Sequence, residues 1–232
     1  MTVYVWDFPT RIFHWLLVAT LVSQYLTVEV LDNAIQWHFY GGYFMMGLII
    51  FRLLWGIMGA YYARFSAFIV SPAVALTYAK SLNTSHYKAS LGHNPLGAYS
   101  IIFVLTALIT QTISGLFVSD DIFDSGPYYS AVSASTQDIM NWLHHNLFNA
   151  IWVFLVLHIG AMIFYKFKMK QDLVKSMLSG YKKINDSNNE SSEPIDTQNF
   201  WLRAFIFAGL SAGLVYMIVV VLAPEASDEF YY

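Results

Sequence analysis

Five apolar runs separated by polar segments set the pattern of this chain: Ile12 to Val28, Trp37 to Tyr62, Leu96 to Val118, Trp142 to Tyr165, and Phe200 to Leu222. A helix needs about 20 predominantly apolar residues to cross a bilayer, and each run is close to that length or beyond it. The first is the shortest and carries Gln24 towards its far end. The second contains Arg52, a charge that needs a reason to lie inside a span. No repeat of fixed period is apparent. The pattern predicts an all-α integral membrane protein with five transmembrane helices.

Two long connections separate these spans. From Ala63 to Pro95 the chain carries Arg64, Lys80 and Lys88 and no acid. Its FSAFIVSPAVALTYAKSL portion reads as an amphipathic helix lying along the interface, with Pro72 in its first turn. The second connection starts KFKMKQDLVKSMLSGYKK and continues as NDSNNESSEPIDTQN. That polar composition predicts a flexible linker over 184–199. The expected organisation is a four-helix bundle over 1–183, this linker, and a fifth span with a short acidic tail over 200–232.

Charge gives the orientation. Lys and Arg lie in the N-terminal segment, in the two long connections and at the start of the fifth span, Arg52 apart. The segments at the other ends of the spans hold Glu29, Asp32, Asp120, Asp121, Asp124, Asp138, Glu225, Asp228 and Glu229, with no Lys or Arg. Because Lys and Arg beside spans stay cytoplasmic, the N-terminus is expected inside and the C-terminus outside. The start, MTVYVWDFPTRIFHW, has no small-residue cleavage site after its apolar run and reads as a retained first helix.

Composition narrows the chemistry. The 232 residues are 57% hydrophobic and only 12% charged, about half the charged fraction of soluble domains, and mean hydropathy is +0.49. So apolar a surface fits lipid better than water. A net charge of −3 gives no reason to expect nucleic acid. There is no cysteine, which excludes disulfides, thiolate-held iron–sulfur or zinc sites, and covalent haem attachment through C-x-x-C-H. Histidine, with seven copies, is left as the transition-metal ligand.

Ionisable groups inside a membrane are expensive and tend to mark function. His14 lies near the cytoplasmic end of the first span, and His38 at the outer start of the second. In the fourth, His144 and His145 lie at the outer end and His158 near the inner end. His144 and His158 are 14 residues apart, which leaves them about 40° apart around the helix and about 21 Å along it. His145 faces about 140° away from His158. The depths then match in two pairs, His14 with His158 and His38 with His144. Each pair offers two imidazoles from different helices, the arrangement that grips a haem iron from both faces and that bundle cores provide. Any one of these histidines alone is as well explained as polar glue between helices or as an interfacial anchor. Four at two matched depths favour two b-type haems, held as metal ligands by His14, His38, His144 and His158.

Arg52, 14 residues after His38 on the same helix face, falls at the depth of the inner pair, where it could neutralise a haem propionate. Arg11, three residues before His14, could do the same; it also reads as a positive-inside anchor, and Arg52 as a snorkelling side chain. Glycines near the histidines (Gly41, Gly42, Gly115 and Gly160) leave room for a flat ring, although glycine is ordinary in membrane helices. His86 is assigned to solvent. His93 opens the string HNPLG, a turn leading into the third span, and a second possibility is proton shuttling near a quinone.

The strings WDFPTRIFHW, FRLLWG, ARFSAF and GHNPLGA, with the His-x13-His of the fourth span, resemble the bacterial di-haem cytochrome b561 family, which includes the b-type cytochrome subunits of nickel–iron hydrogenases. The resemblance covers roughly residues 4 to 183. It implies a four-helix bundle with two bis-histidine haems at His14, His38, His144 and His158, in a bacterial inner membrane. It also implies electron transfer between the quinone pool and a redox partner, a periplasmic c-type cytochrome or oxidoreductase subunit. The fifth helix lies outside it. Two other classes remain: a quinone-linked oxidoreductase acting alone on a small reductant, and a haem-free anchor or transporter.

Overall fold

The computed structural model describes residues 2–82, 84, 87, 89–120, 124–183 and 200–224. The polar linker and most of the acidic tail, with His86, lie outside the described residues. Five helices are long and apolar enough to cross a membrane: α1 (Phe8–Glu29), α2 (Ile35–Met58), α5 (Pro95–Gly115), α6 (Ala134–Phe167) and α8 (Phe200–Tyr216), the last extended by a π-helical turn over Met217–Val221. Between α2 and α5 lie the short helices α3 (Phe65–Phe68) and α4 (Pro72–Ser81); α7 (Leu173–Ser179) follows α6. Large side chains such as Val156, Leu157 and Phe205 are more than 60% exposed, as a lipid-facing surface requires.

Local chemistry sets the helix boundaries. Helix α1 begins four residues before its apolar run because Asp7 caps it: the Thr10 amide and hydroxyl each donate to the Asp7 carboxylate at 2.8 Å, and Pro9 suits a first turn. Helix α5 starts the same way, with the Gly97 amide donating to Asn94 Oδ1 at 2.8 Å and Pro95 in the first position. Helix α2 stops at Met58, short of Tyr62, and the chain turns through a 3₁₀ segment at Tyr61–Ala63. The expected interfacial helix is broken in two, because Ile69 and Ser71 are extended ahead of Pro72, the conformation that a following proline favours in the residue before it.

Two compact units divide the chain, and the boundary falls within all five long helices. One comprises Met1–His14, Arg52–Val104 and Phe154–Phe207; the other comprises Trp15–Phe51, Leu105–Val153 and Ala208–Tyr232. All 12 Lys and Arg fall in the first, hereafter the basic unit. The second, which holds Glu29, Asp32, Asp120, Asp124 and Asp138 and no Lys or Arg, is the acidic unit.

In the basic unit, strand β1 (Thr2–Tyr4) pairs antiparallel with β2 (Tyr181–Lys183), Val3 opposite Lys182. The Val5 and Trp6 amides donate to Gly180 O at 2.9 and 3.1 Å. Gly180 has φ 86° and ends α7; a Cβ there would meet the Tyr4 ring at 2.6 Å, so conformation and space both demand glycine. Val3, Val5, Trp6, Tyr62 and Leu91 form the apolar core beneath this clasp. Trp55, fully buried, packs its ring on Phe200 and Phe207 of α8. In the acidic unit α8 is held through Tyr128, whose hydroxyl donates to Ile218 O at 2.7 Å.

Candidate functional site: two histidine pairs

The acidic unit brings His38 and His144 together. Their ring centroids are 6.2 Å apart and their planes are inclined at 81°. His144, on α6, reaches α5: its Nδ1 lies 3.1 Å from Gln111 O and 3.2 Å from Ser114 Oγ. A carbonyl can only accept, so Nδ1 carries the proton towards Gln111 and Nε2 keeps its lone pair. His38, on α2, is held from α1: its Nδ1 lies 3.4 Å from Thr27 Oγ1, and its carbonyl accepts from Gln24 Nε2 at 3.1 Å. Four helices, α1, α2, α5 and α6, therefore contribute to this pair. Gly115 keeps the approach open, since a Cβ there would fall 2.9 Å from His144 Cε1. His145 turns back on its own helix, with Nδ1 2.9 Å from Asn141 O, and is exposed.

The basic unit holds the other pair. His14 on α1 is within electrostatic reach of His158 on α6, both are half-buried, and the His158 ring stacks on Phe154 at 5.8 Å and 22°. The same unit holds contacts that the sequence did not reveal. Trp55 Nε1 donates to Asp7 Oδ1 at 3.2 Å. Arg52, 3% exposed, donates to Ala63 O at 3.0 Å and lies 4.9 Å from the centre of the Phe65 ring. This explains a charge in a span: it anchors the turn that follows α2. Burial pushes the Asp7 carboxyl above the usual carboxylate range, against its hydrogen bonds and the nearby Arg52. Arg11 donates to Leu178 O at 2.6 Å and lies over Phe8. His93 packs between Trp6 and Phe68, at 4.6 and 4.4 Å. Burial first, then Arg52 and Lys182, drive its pKa down to about 3. The Asp7 cap had a sequence signal, Asp followed by Pro within the first turn; the Trp55 and Ala63 partners had none.

The donor set suits an iron porphyrin. Two metal–imidazole bonds of about 2 Å each, plus the span from each ring nitrogen to its ring centre, amount to about 6 Å, and the His38–His144 centroids lie at 6.2 Å. A hydrogen bond at the other ring nitrogen, fixing the tautomer, usually accompanies a ligating histidine. Among the described residues, no group of three or more His, Cys, Asp and Glu side chains forms a site of another metal type.

Residues 5–180 match the model of the family described as prokaryotic cytochrome b561. The chain belongs to that family. This cytochrome is a multi-pass membrane protein that transfers electrons through haem b. Its relatives include a probable Ni/Fe-hydrogenase B-type cytochrome subunit of Bradyrhizobium diazoefficiens, 26% identical over 80% of this chain and 87% of the relative. Subunits described in the same words come from Azotobacter vinelandii, 23% identical over 79% of this chain and 90% of the relative, and from Rhodobacter capsulatus, 26% identical over 82% and 84%. No solved structure matches the chain.

Proposed function

We propose that this cytochrome binds two haems b, one between His38 and His144 and one between His14 and His158, and relays electrons between membrane quinone and a redox enzyme subunit. The observation that carries the reading is the His38–His144 geometry, a centroid spacing fit for one iron with Nδ1 of His144 already committed. The basic-unit pair repeats the ligand type on α1 and α6. Helix α6 supplies one histidine to each pair.

Arg52 and Arg11 are the cations we assign to offsetting haem propionates on the basic side. The charge distribution supports a cytoplasmic basic end and a periplasmic acidic end in a bacterial inner membrane. An acidic outer face suits a basic partner, by steering; a periplasmic c-type cytochrome and an oxidoreductase subunit both fit. The relatives' description as hydrogenase subunits favours the second. Haem potentials answer to axial ligand, nearby charge and burial, and those are the levers the two pairs offer.

The direct test is a pyridine haemochrome assay on the purified protein beside its His158→Leu variant. About two haems per chain falling to about one supports the reading. Unchanged content removes the basic-unit site.

A further inference from the structure

Away from the histidine pairs, the basic unit contains three tyrosines in hydrogen-bonding sequence. Tyr78 on α4 has its hydroxyl 3.3 Å from that of Tyr165 on α6. Tyr87 joins Tyr78 from the other side through a side-chain hydrogen bond, their rings 5.9 Å apart. Gln171 Nε2 donates to the Tyr87 hydroxyl at 2.9 Å. At the far end Tyr165 is hydrogen-bonded to the side chain of Asn94. The groups come from α4, the following connection, α6 and the cap of α5, so no single element's geometry accounts for their alignment. The row runs inward, from half-buried Tyr87 and Gln171 to Tyr165, which is 6% exposed. Tyr165 follows His158 by seven residues, so the two share a helix face about 20° apart, about 10.5 Å along the axis.

We propose that Tyr87, Tyr78 and Tyr165 form the proton path that serves quinone chemistry at the basic-unit histidine pair. The proposal rests on the quinone reading given above. Oxidation of a quinol breaks two O–H bonds and yields quinone, two electrons and two protons. Haem, when bound, would take up the electrons, and the protons would leave through groups of this chain. A phenol both donates and accepts: it takes a proton from the inner side while releasing its own to the next hydroxyl, and the row ends unchanged. Quinone reduction runs the same steps backwards. Tyr78 stays neutral throughout, because burial and its hydrogen bonds raise its pKa further, so transfer proceeds by hopping and not by ionisation.

The test uses the haem-loaded protein, with Tyr78→Phe removing the middle hydroxyl and keeping the ring. Haem content, visible spectrum and reduction by dithionite stay as in the unaltered protein. Haem reduction by duroquinol slows about a hundredfold, the lower end of what a positioned proton-transfer group contributes, and its solvent deuterium isotope effect grows. Infrared difference spectra of electrochemical reduction, recorded without quinone, lose a tyrosine hydroxyl contribution in the variant. If Tyr78→Phe fails to hold haem, Tyr87→Phe at the outer end carries the same test. A duroquinol rate within twofold of the unaltered protein, with an equal isotope effect and unaltered infrared bands, overturns the path and leaves the quinone reading standing. An unaltered protein whose haems duroquinol never reduces overturns both.

Discussion

The two histidine pairs are supported in different ways. In the acidic unit, His144 is fixed by a main-chain carbonyl, Gln111 O, and by Ser114, while His38 is held from α1 by Thr27 and Gln24. Its geometry is thus a property of helix packing, with Gly115 as the clearance. In the basic unit, His14 lies within electrostatic reach of His158, which stacks on Phe154, and the same unit carries the hydrogen-bonded Asp7 and Trp55 with Arg52 nearby. The first pair is framed by hydrogen bonds from neighbouring helices, and the unit of the second carries the buried cation Arg52.

The largest expected effect separates neighbours on α6. His144→Leu takes away the acidic-unit haem and lowers pyridine haemochrome content by about half. His145→Leu, whose ring turns to its own helix, leaves it unchanged. Loss of haem in both variants would erase the distinction between them. Next comes Arg52→Ala: removing a cation favours the oxidised form, so the basic-unit haem drops by on the order of tens of millivolts while the other holds, read by redox titration. Equal shifts in both would show that charge at this end is not local. Gly115→Ala is the mirror experiment. The ring of His144 must give way, so the acidic-unit haem shifts by a similar or smaller amount with the basic-unit haem unaffected.

The smallest effect concerns acid. His93 has a folded pKa of about 3, below the ordinary imidazole value of about 6.5. The unfolded chain therefore binds the extra proton first, and stability is complete above that value and lost as pH falls below it. The slope is at most about 1.4 kcal/mol per pH unit. His93→Gln flattens the fall in melting temperature between neutral and mildly acidic buffer; an unchanged slope would assign it elsewhere.

How much of this was readable beforehand follows from the range of each interaction. Hydropathy located all five spans, because a lipid solvent imposes length and apolarity on each segment independently. Helical phase set His144 and His145 on different faces, and the structure gives the two rings different neighbours, Gln111 O and Asn141 O. The ends of α1 and α2 were read less well. The apolar run starts at Ile12, whereas Asp7 and Pro9 open the helix; the run continues to Tyr62, whereas the helix ends at Met58. Contacts between distant segments left no periodic trace. The β1–β2 pairing, the Trp55–Asp7 bond across 48 positions and the Tyr78–Tyr165 bond across 87 each depend on where the fold brings segments to rest. Arg52 was noticed as an anomaly, but its carbonyl partner, Ala63, carries no signal that a side-chain pattern could disclose.

The pairing of Thr2–Tyr4 with Tyr181–Lys183 also bears on how the molecule is made. The first strand is synthesised long before its partner exists, and Val5 and Trp6 cannot dock against Gly180 until α6 has been threaded and α7 has formed. Assembly of the basic end is therefore a late event, and a ribosome stalled before residue 180 would release four spanning helices with their opening segment still unfastened.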